Sequence, residues 1–266
     1  MTYTAPPSYT APSPAGPVGI PGTPAPPAPS YLQRIRRFPA TFGLIAVTVL
    51  VFIAQLLSEA MVGADIVLYY GAKINEYLAA GEAWRLVTPV FLHAGLLHIG
   101  VNMYSLWALG PAVERFFGHT RFLIVYLLSG ISGVLFSLVL SPDPSVGASG
   151  AIFGLLGALA TFLYLHRATF GQLGAMQLRQ LVFVALINLG MGLAPGIDNW
   201  GHVGGLAAGV GMAWFLGPRF STTVLPDGRP RLVDFRTKQQ ISVRAGLAMI
   251  SAIILSILAM MNANGT

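Results

Sequence analysis

Residues 147–166 read GASGAIFGLLGALATFLYLH. The run is apolar almost throughout, and its glycines and alanines are the small residues that let helices pack closely inside a membrane. It reads as a helix whose solvent is lipid and other helices. The rest of the chain agrees: 55% of its 266 residues are hydrophobic and 9% are charged, where a soluble domain carries about a quarter charged residues. The chain is therefore read as an all-α polytopic membrane protein. It has no cysteine, which excludes disulfides, a thiol nucleophile and cysteine-ligated zinc. One hydroxyl, Ser149, sits at the mouth of the run. By default such a serine is packing material; a chemical role requires a base, oxyanion donors and an architecture that joins them.

Working outward, apolar segments fall near 42–60, 95–113, 122–141, 147–166, 180–195, 201–217 and 244–261. Several approach the lower limit of about 17 residues for crossing a bilayer. Short segments that carry Gly, Asn and His are admissible only where neighbours shield them or they line a cavity. If the N-terminus is cytoplasmic, thirteen of the fifteen Lys and Arg residues fall on the inner side, leaving Lys73 and Arg85 outside. That distribution fits the positive-inside rule, and it explains the net charge of +6 without nucleic acid. Residues 1–33 begin with a Pro-rich, nearly uncharged stretch, expected to be a disordered cytoplasmic tail; it lacks the pattern of a cleavable signal peptide. Residues 218–241 are expected to form a cytoplasmic linker, and 242–266 a seventh transmembrane helix with a short outer tail.

This topology puts the polar residues at one depth. FLHAGLLHIGVNMYSLWALG (91–110) runs inward with His93, His98 and Asn102 at its outer end. The segment after Ser149 and the segment DNWGHVGGLAAG (198–209) also run inward, the latter beginning near His202. His98 and Asn102 are four apart and share a helix face. Ser149 is followed by Gly150, Gly154 and Gly157, and His202 by Gly205 and Gly209. Small residues at this spacing on two helices let their backbones approach, as a serine–imidazole hydrogen bond between separate helices demands.

Four patterns now stand in order: WR at 84–85, H-x-x-x-x-H-x-x-x-N at 93, 98 and 102, GASGAIFG at 147–154 and GHVGGLAAG at 201–209. Together they resemble the rhomboid family of intramembrane serine proteases. The resemblance implies a six-helix catalytic domain, assigned to 34–217, with one additional C-terminal transmembrane helix. It implies Ser149 as nucleophile and His202 as general base, with the oxyanion held by the Ser149 backbone N–H, His98 and Asn102. His93, Trp84, Arg85, Gly147, Gly150, Gly154, Gly205 and Gly209 would be structural, as would Glu114 in GPAVERFFG. Phe153 departs from the tyrosine that many relatives carry. Asp198, four residues before His202, reads as a solvated loop carboxylate, consistent with a Ser–His dyad. The implied partners are transmembrane protein substrates and the lipid bilayer, with no cofactor, no metal and no nucleic acid. The site would open to the outer side of the cell membrane; nothing in the sequence sets an oligomeric state. Two rival readings are a transporter, for which no inverted repeat or paired midplane carboxylates are seen, and a catalytically inactive relative that binds membrane proteins without cutting them.

Overall fold

The computed structural model describes residues 30–224 and 230–263. The Pro-rich stretch up to residue 29, and with it most of the expected tail, lies outside the described residues. Helix α1 (Tyr31–Arg37) starts inside the segment assigned to that tail, nucleated by a capping box in which Ser30 and Gln33 satisfy each other's backbone N–H. α2 (Pro39–Val62) follows at once and ends on Gly63, whose φ of 76° suits a residue without Cβ.

The segment 63–95 contains α3 (Ile66–Gly71), α4 (Asn75–Ala79) and two 3₁₀ turns, Ala83–Leu86 and Thr88–Phe91. α5 (Leu96–Leu140) is two membrane-length rods joined at Gly118, whose φ of 76° breaks the helix. The segments expected at 95–113 and 122–141 are these two rods; the residues between them are helical apart from that one glycine. α6 (Ser149–Leu165) begins two residues after Gly147, where φ is 129°. α7 (Arg167–Met191) bends at Gly171, and α8 (Asn199–Phe215) is followed by a hairpin, β1 (Phe220–Val224) with β2 (Pro230–Asp234), then α9 (Lys238–Ala263). Within the stretch expected to be a cytoplasmic linker, β1 and β2 pair antiparallel, with Phe220 opposite Asp234. α7 ends at Met191, so residues 192–195 of the expected segment form the turn that leads to α8.

The helices are arranged around α6, which packs against α5 and α8. At 17 residues it is about 26 Å long, shorter than the roughly 30 Å hydrocarbon core of a bilayer. Its surroundings compensate, since most of its residues from Ala151 to Leu163 are buried. α8 also has 17 residues, and it buries one stripe of small residues, Gly201, Gly204, Gly205, Gly209 and Ala213, together with His202. Four helices, α2, α5, α7 and α9, are long and apolar enough to span a membrane. The architecture is an all-α polytopic bundle.

At the end of the bundle away from Ser149, Glu114 ties α2 to α5. Its carboxylate accepts from the Ala40 and Thr41 N–H groups at 3.0 and 2.8 Å and from the Thr41 hydroxyl at 2.6 Å. The role is structural: a buried acid satisfied by the free N–H groups at a helix start.

Candidate active site

Ser149 is the first residue of α6, with Ala148 as the cap. The first N–H groups of a helix have no intrahelical partner, so the Ser149 backbone N–H is a free donor beside the Ser149 hydroxyl. α8 meets α6 here with glycines at the closest approach. A Cβ on Gly150 would lie 3.1 Å from the Gly201 carbonyl oxygen, and Cβ atoms on Gly205 and Gly209 would collide with the carbonyls of Gly150 and Gly154. Ser149 directly precedes Gly150 and His202 directly follows Gly201. The glycine register therefore sets the serine and the histidine at the same level of two touching helices.

The His202 ring is 9% exposed and stacks on Phe153, with centroids 4.5 Å apart and planes at 12°. The phenyl ring supplies this packing without the hydroxyl a tyrosine would add. Among the described residues the buried His202 Nδ1 has no hydrogen-bond partner. The Ser149 hydroxyl makes no hydrogen bond to His202 in this state. Catalytic hydrogen bonds in unliganded enzymes are often long and tighten only with substrate.

His98 approaches from α5. A Cβ on Gly147 would sit 2.8 Å from His98 Cε1 and Nε2 and 3.7 Å from Ser149 Oγ, so ring and hydroxyl flank the same spot. His98 Nδ1 accepts the Ala94 N–H at 3.4 Å, which leaves the proton on Nε2, the nitrogen facing Gly147. Asn102 makes no hydrogen bond to the serine: it is buried, and its Nδ2 donates to the His98 carbonyl at 2.9 Å on its own helix. His93 lies behind His98, with ring centroids 5.0 Å apart, and its Nε2 accepts the Ala148 N–H at 3.5 Å. Gln55 of α2 holds the His93 backbone from both sides, accepting from its N–H and donating to its carbonyl, each at 3.0 Å.

Trp84 and Arg85 bond within the segment 63–95 and not to Ser149. The Trp84 indole N–H donates to the Tyr70 carbonyl at 3.0 Å, and the buried Arg85 donates to the Tyr69 and Ala72 carbonyls at 2.9 and 2.7 Å. Lys73, the other basic residue of this segment, is fully buried and donates to the carbonyls of Ser141 and Asp143 at 2.9 and 2.8 Å. Burial pushes its pKa down to about 8, against a counter-pull from Asp198 and Asp143.

Asp198 corrects the reading of a solvated loop carboxylate. It is the N-cap of α8, accepting the Gly201 N–H at 2.8 Å, and its second oxygen accepts the Ser145 hydroxyl at 2.6 Å. Ser145 in turn pairs backbone to backbone with Lys73, N–H to carbonyl at 3.0 Å in both directions. The carboxylate thus joins the start of the His202 helix to the connector that leads into Ser149. A narrow cleft opens here, lined by Ser149, Gly147, Gly150, Ser145, Asp198 and Gly201 among others. In the sequence, the N-cap signal of an Asp just before an apolar small-residue run was available; the Ser145 partner, 53 positions away, was not.

Residues 80–219 match the rhomboid domain family. The chain belongs to the rhomboid family and is an integral, multi-pass membrane protein. It is 43% identical over 179 residues, 66% of its length, to the rhomboid protease GluP of Bacillus subtilis, and covers 34% of that protein. It is 38% identical over 140 residues to RHOMBOID-like protein 4 of Arabidopsis thaliana, covering 52% of this chain and 35% of the relative. RHOMBOID-like protein 6, mitochondrial, of the same plant is 37% identical over 172 residues, 64% of this chain and 53% of the relative. The chain spans about a third to a half of the length of these relatives.

Proposed function

We propose that this protein is an intramembrane serine endopeptidase that cleaves within or near the transmembrane segments of other membrane proteins, with residues 34–217 as its catalytic unit. Ser149 attacks the scissile carbonyl. His202 takes its proton and returns it to the leaving amine. The oxyanion is received by the Ser149 N–H and the His98 Nε2–H, and by Asn102 once its amide turns from the His98 carbonyl. The observation that carries this reading is the glycine contact of α6 with α8, which levels Ser149 with His202 beside the free N–H groups of a helix start. The likeness to the Bacillus subtilis rhomboid protease supports the same reaction class.

The N-terminus is cytoplasmic in this reading and the serine faces the outer side, since all the Lys and Arg residues except Lys73 and Arg85 fall in sequence segments assigned to the inner side. Water reaches Ser149 through the cleft, while substrate enters sideways from lipid and must unwind locally, because a helix keeps its carbonyls in internal hydrogen bonds. The test is cleavage of a panel of single-span substrates by the purified full chain in detergent and in vesicles. Wild type should cut, and Ser149→Ala and His202→Ala should each lose all detectable cleavage while remaining folded. A folded wild-type protein that binds the panel but cuts none would favour the binding-only reading.

A further inference from the structure

Four arginines gather at the end of α8 opposite Ser149. Arg236 and Arg244 both donate to the Phe215 carbonyl, Arg244 at 2.6 Å, and Arg219 and Arg236 donate to the Trp214 carbonyl at 3.0 and 3.3 Å. The fourth, Arg121 at the start of the second rod of α5, pairs with Asp234 at 2.6 Å. Asp234 also accepts the backbone N–H groups of Arg219 and Arg236 at 2.9 and 3.1 Å. Helix C-terminal carbonyls offset about half a positive charge and Asp234 offsets one. Among the described residues, four guanidiniums against that one carboxylate leave an excess of three positive charges before the carbonyls are counted.

Arg219, Arg236 and Arg244 are partly exposed at this face, whereas Arg121 is shut off from water. Arg121 is 5% exposed, and its Nε and Nη2 groups are buried with no hydrogen-bond partner among the described residues. Burial, together with the repulsion of Arg244, Arg219 and Arg121, holds Arg236 down at about 10. Buried guanidinium N–H groups without acceptors are costly, and the planar fork of arginine matches the oxygens of a phosphate. The surroundings select the source of that phosphate. Trp214 and Phe215 are 57% and 39% exposed beside the cluster, and Arg219 and Arg244 stack over their rings at 5.7 and 5.4 Å. An exposed indole at the end of a membrane helix marks the headgroup level of the bilayer.

We propose that Arg121, Arg219, Arg236 and Arg244 form a binding site for the phosphate of an anionic phospholipid in the leaflet opposite the Ser149 cleft. The lipid phosphate supplies the acceptors that Arg121 lacks and locks α5, α8, the hairpin and α9 together at that membrane face. The site is independent of the proteolytic reading and is tested without an activity assay. Delipidated full-length protein in a non-ionic detergent is titrated with phosphatidylglycerol or phosphatidylcholine, and bound lipid is counted by native mass spectrometry. One phosphatidylglycerol per chain should be retained in preference to phosphatidylcholine. Arg236→Gln and Arg244→Gln, neither of which removes the Arg121–Asp234 pair, should each weaken it about tenfold, as expected for loss of one charge-assisted hydrogen bond. Arg179→Gln, on a different helix, should leave it unchanged. Equal retention of the two lipids, or undiminished phosphatidylglycerol binding by both variants, overturns the proposal. So does arginine-dependent binding of inorganic phosphate with no retention of lipid, which would assign the site to a soluble anion.

Discussion

Replacing Asp198 with alanine should cost stability and turnover together, because one carboxylate caps the His202 helix and holds the Ser145 hydroxyl at 2.6 Å. Loss of an N-cap is worth about 1 kcal/mol. A hydrogen bond to a charged group adds about 1.5–3 kcal/mol when desolvated, and the lower end applies because Asp198 is only half-buried. Asp198→Ala should therefore destabilise by about 2–3 kcal/mol and Ser145→Ala by about 1.5 kcal/mol. Combined, the two should fall short of additivity by about 1–1.5 kcal/mol, since each already removes the shared bond. Asp198→Asn, an equally good cap that can still bond Ser145, should cost less than about 1 kcal/mol. The readout is a double-mutant cycle on full-length protein unfolded in mixed micelles, with cleavage kinetics on the same four proteins. Because displacements of about 1 Å at a reacting centre can cost about a hundredfold in rate, Asp198→Ala and Ser145→Ala should lower kcat more than they raise KM, and Asp198→Asn should restore most of it. Additivity within about 0.5 kcal/mol, or normal kcat in both alanine variants, would refute the claim that this bond aligns the two helix starts.

His98→Ala should lower kcat about 10²–10³-fold with little change in KM, as for other oxyanion donors; Asn102→Ala should cost less, because its amide is committed to the His98 carbonyl, and steady-state kinetics of the pair checks the order. Gly205→Ala drives a Cβ into the Gly150 carbonyl and should destabilise by about 1–3 kcal/mol, whereas Gly211→Ala, with nothing within 4 Å, should stabilise by up to about 1 kcal/mol; unfolding midpoints of equal sign would contradict the packing. Lys73 is one of two lysines in the chain, so lysine side-chain carbon labelling followed by NMR should reveal a resonance with a midpoint near pH 8 that disappears in Lys73→Arg. Because its folded pKa lies below the ordinary lysine value, the fold is penalised for holding the charge at neutral pH, and this penalty should fade as pH rises from about 8 towards 10.5.

The helices that carry Ser149, His98 and His202 were legible because apolar runs, four-residue glycine spacing and the positions of arginine each report one physical constraint of the bilayer. The breaks between them were less so. Gly118 interrupts a 45-residue helix at a single left-handed residue, and a lone glycine in a short polar stretch carries no mark distinguishing that from a loop. Lys73 and Arg85 were placed on the outer side by charge counting, which gives no hint that both are buried on backbone carbonyls; partners of that kind have no sequence signature. The bond from Ser145 to Asp198 and the pairing of Arg121 with Asp234 join positions 53 and 113 apart. Such contacts follow from tertiary packing and escape any local pattern.

The central claim is that Ser149 is a nucleophile activated by His202. Intact protein exposed to a fluorophosphonate and digested for mass spectrometry should carry one adduct, on Ser149, and His202→Ala should abolish it while leaving the unfolding midpoint near wild type. An adduct on any other residue, or full labelling of Ser149 without His202, would contradict the account.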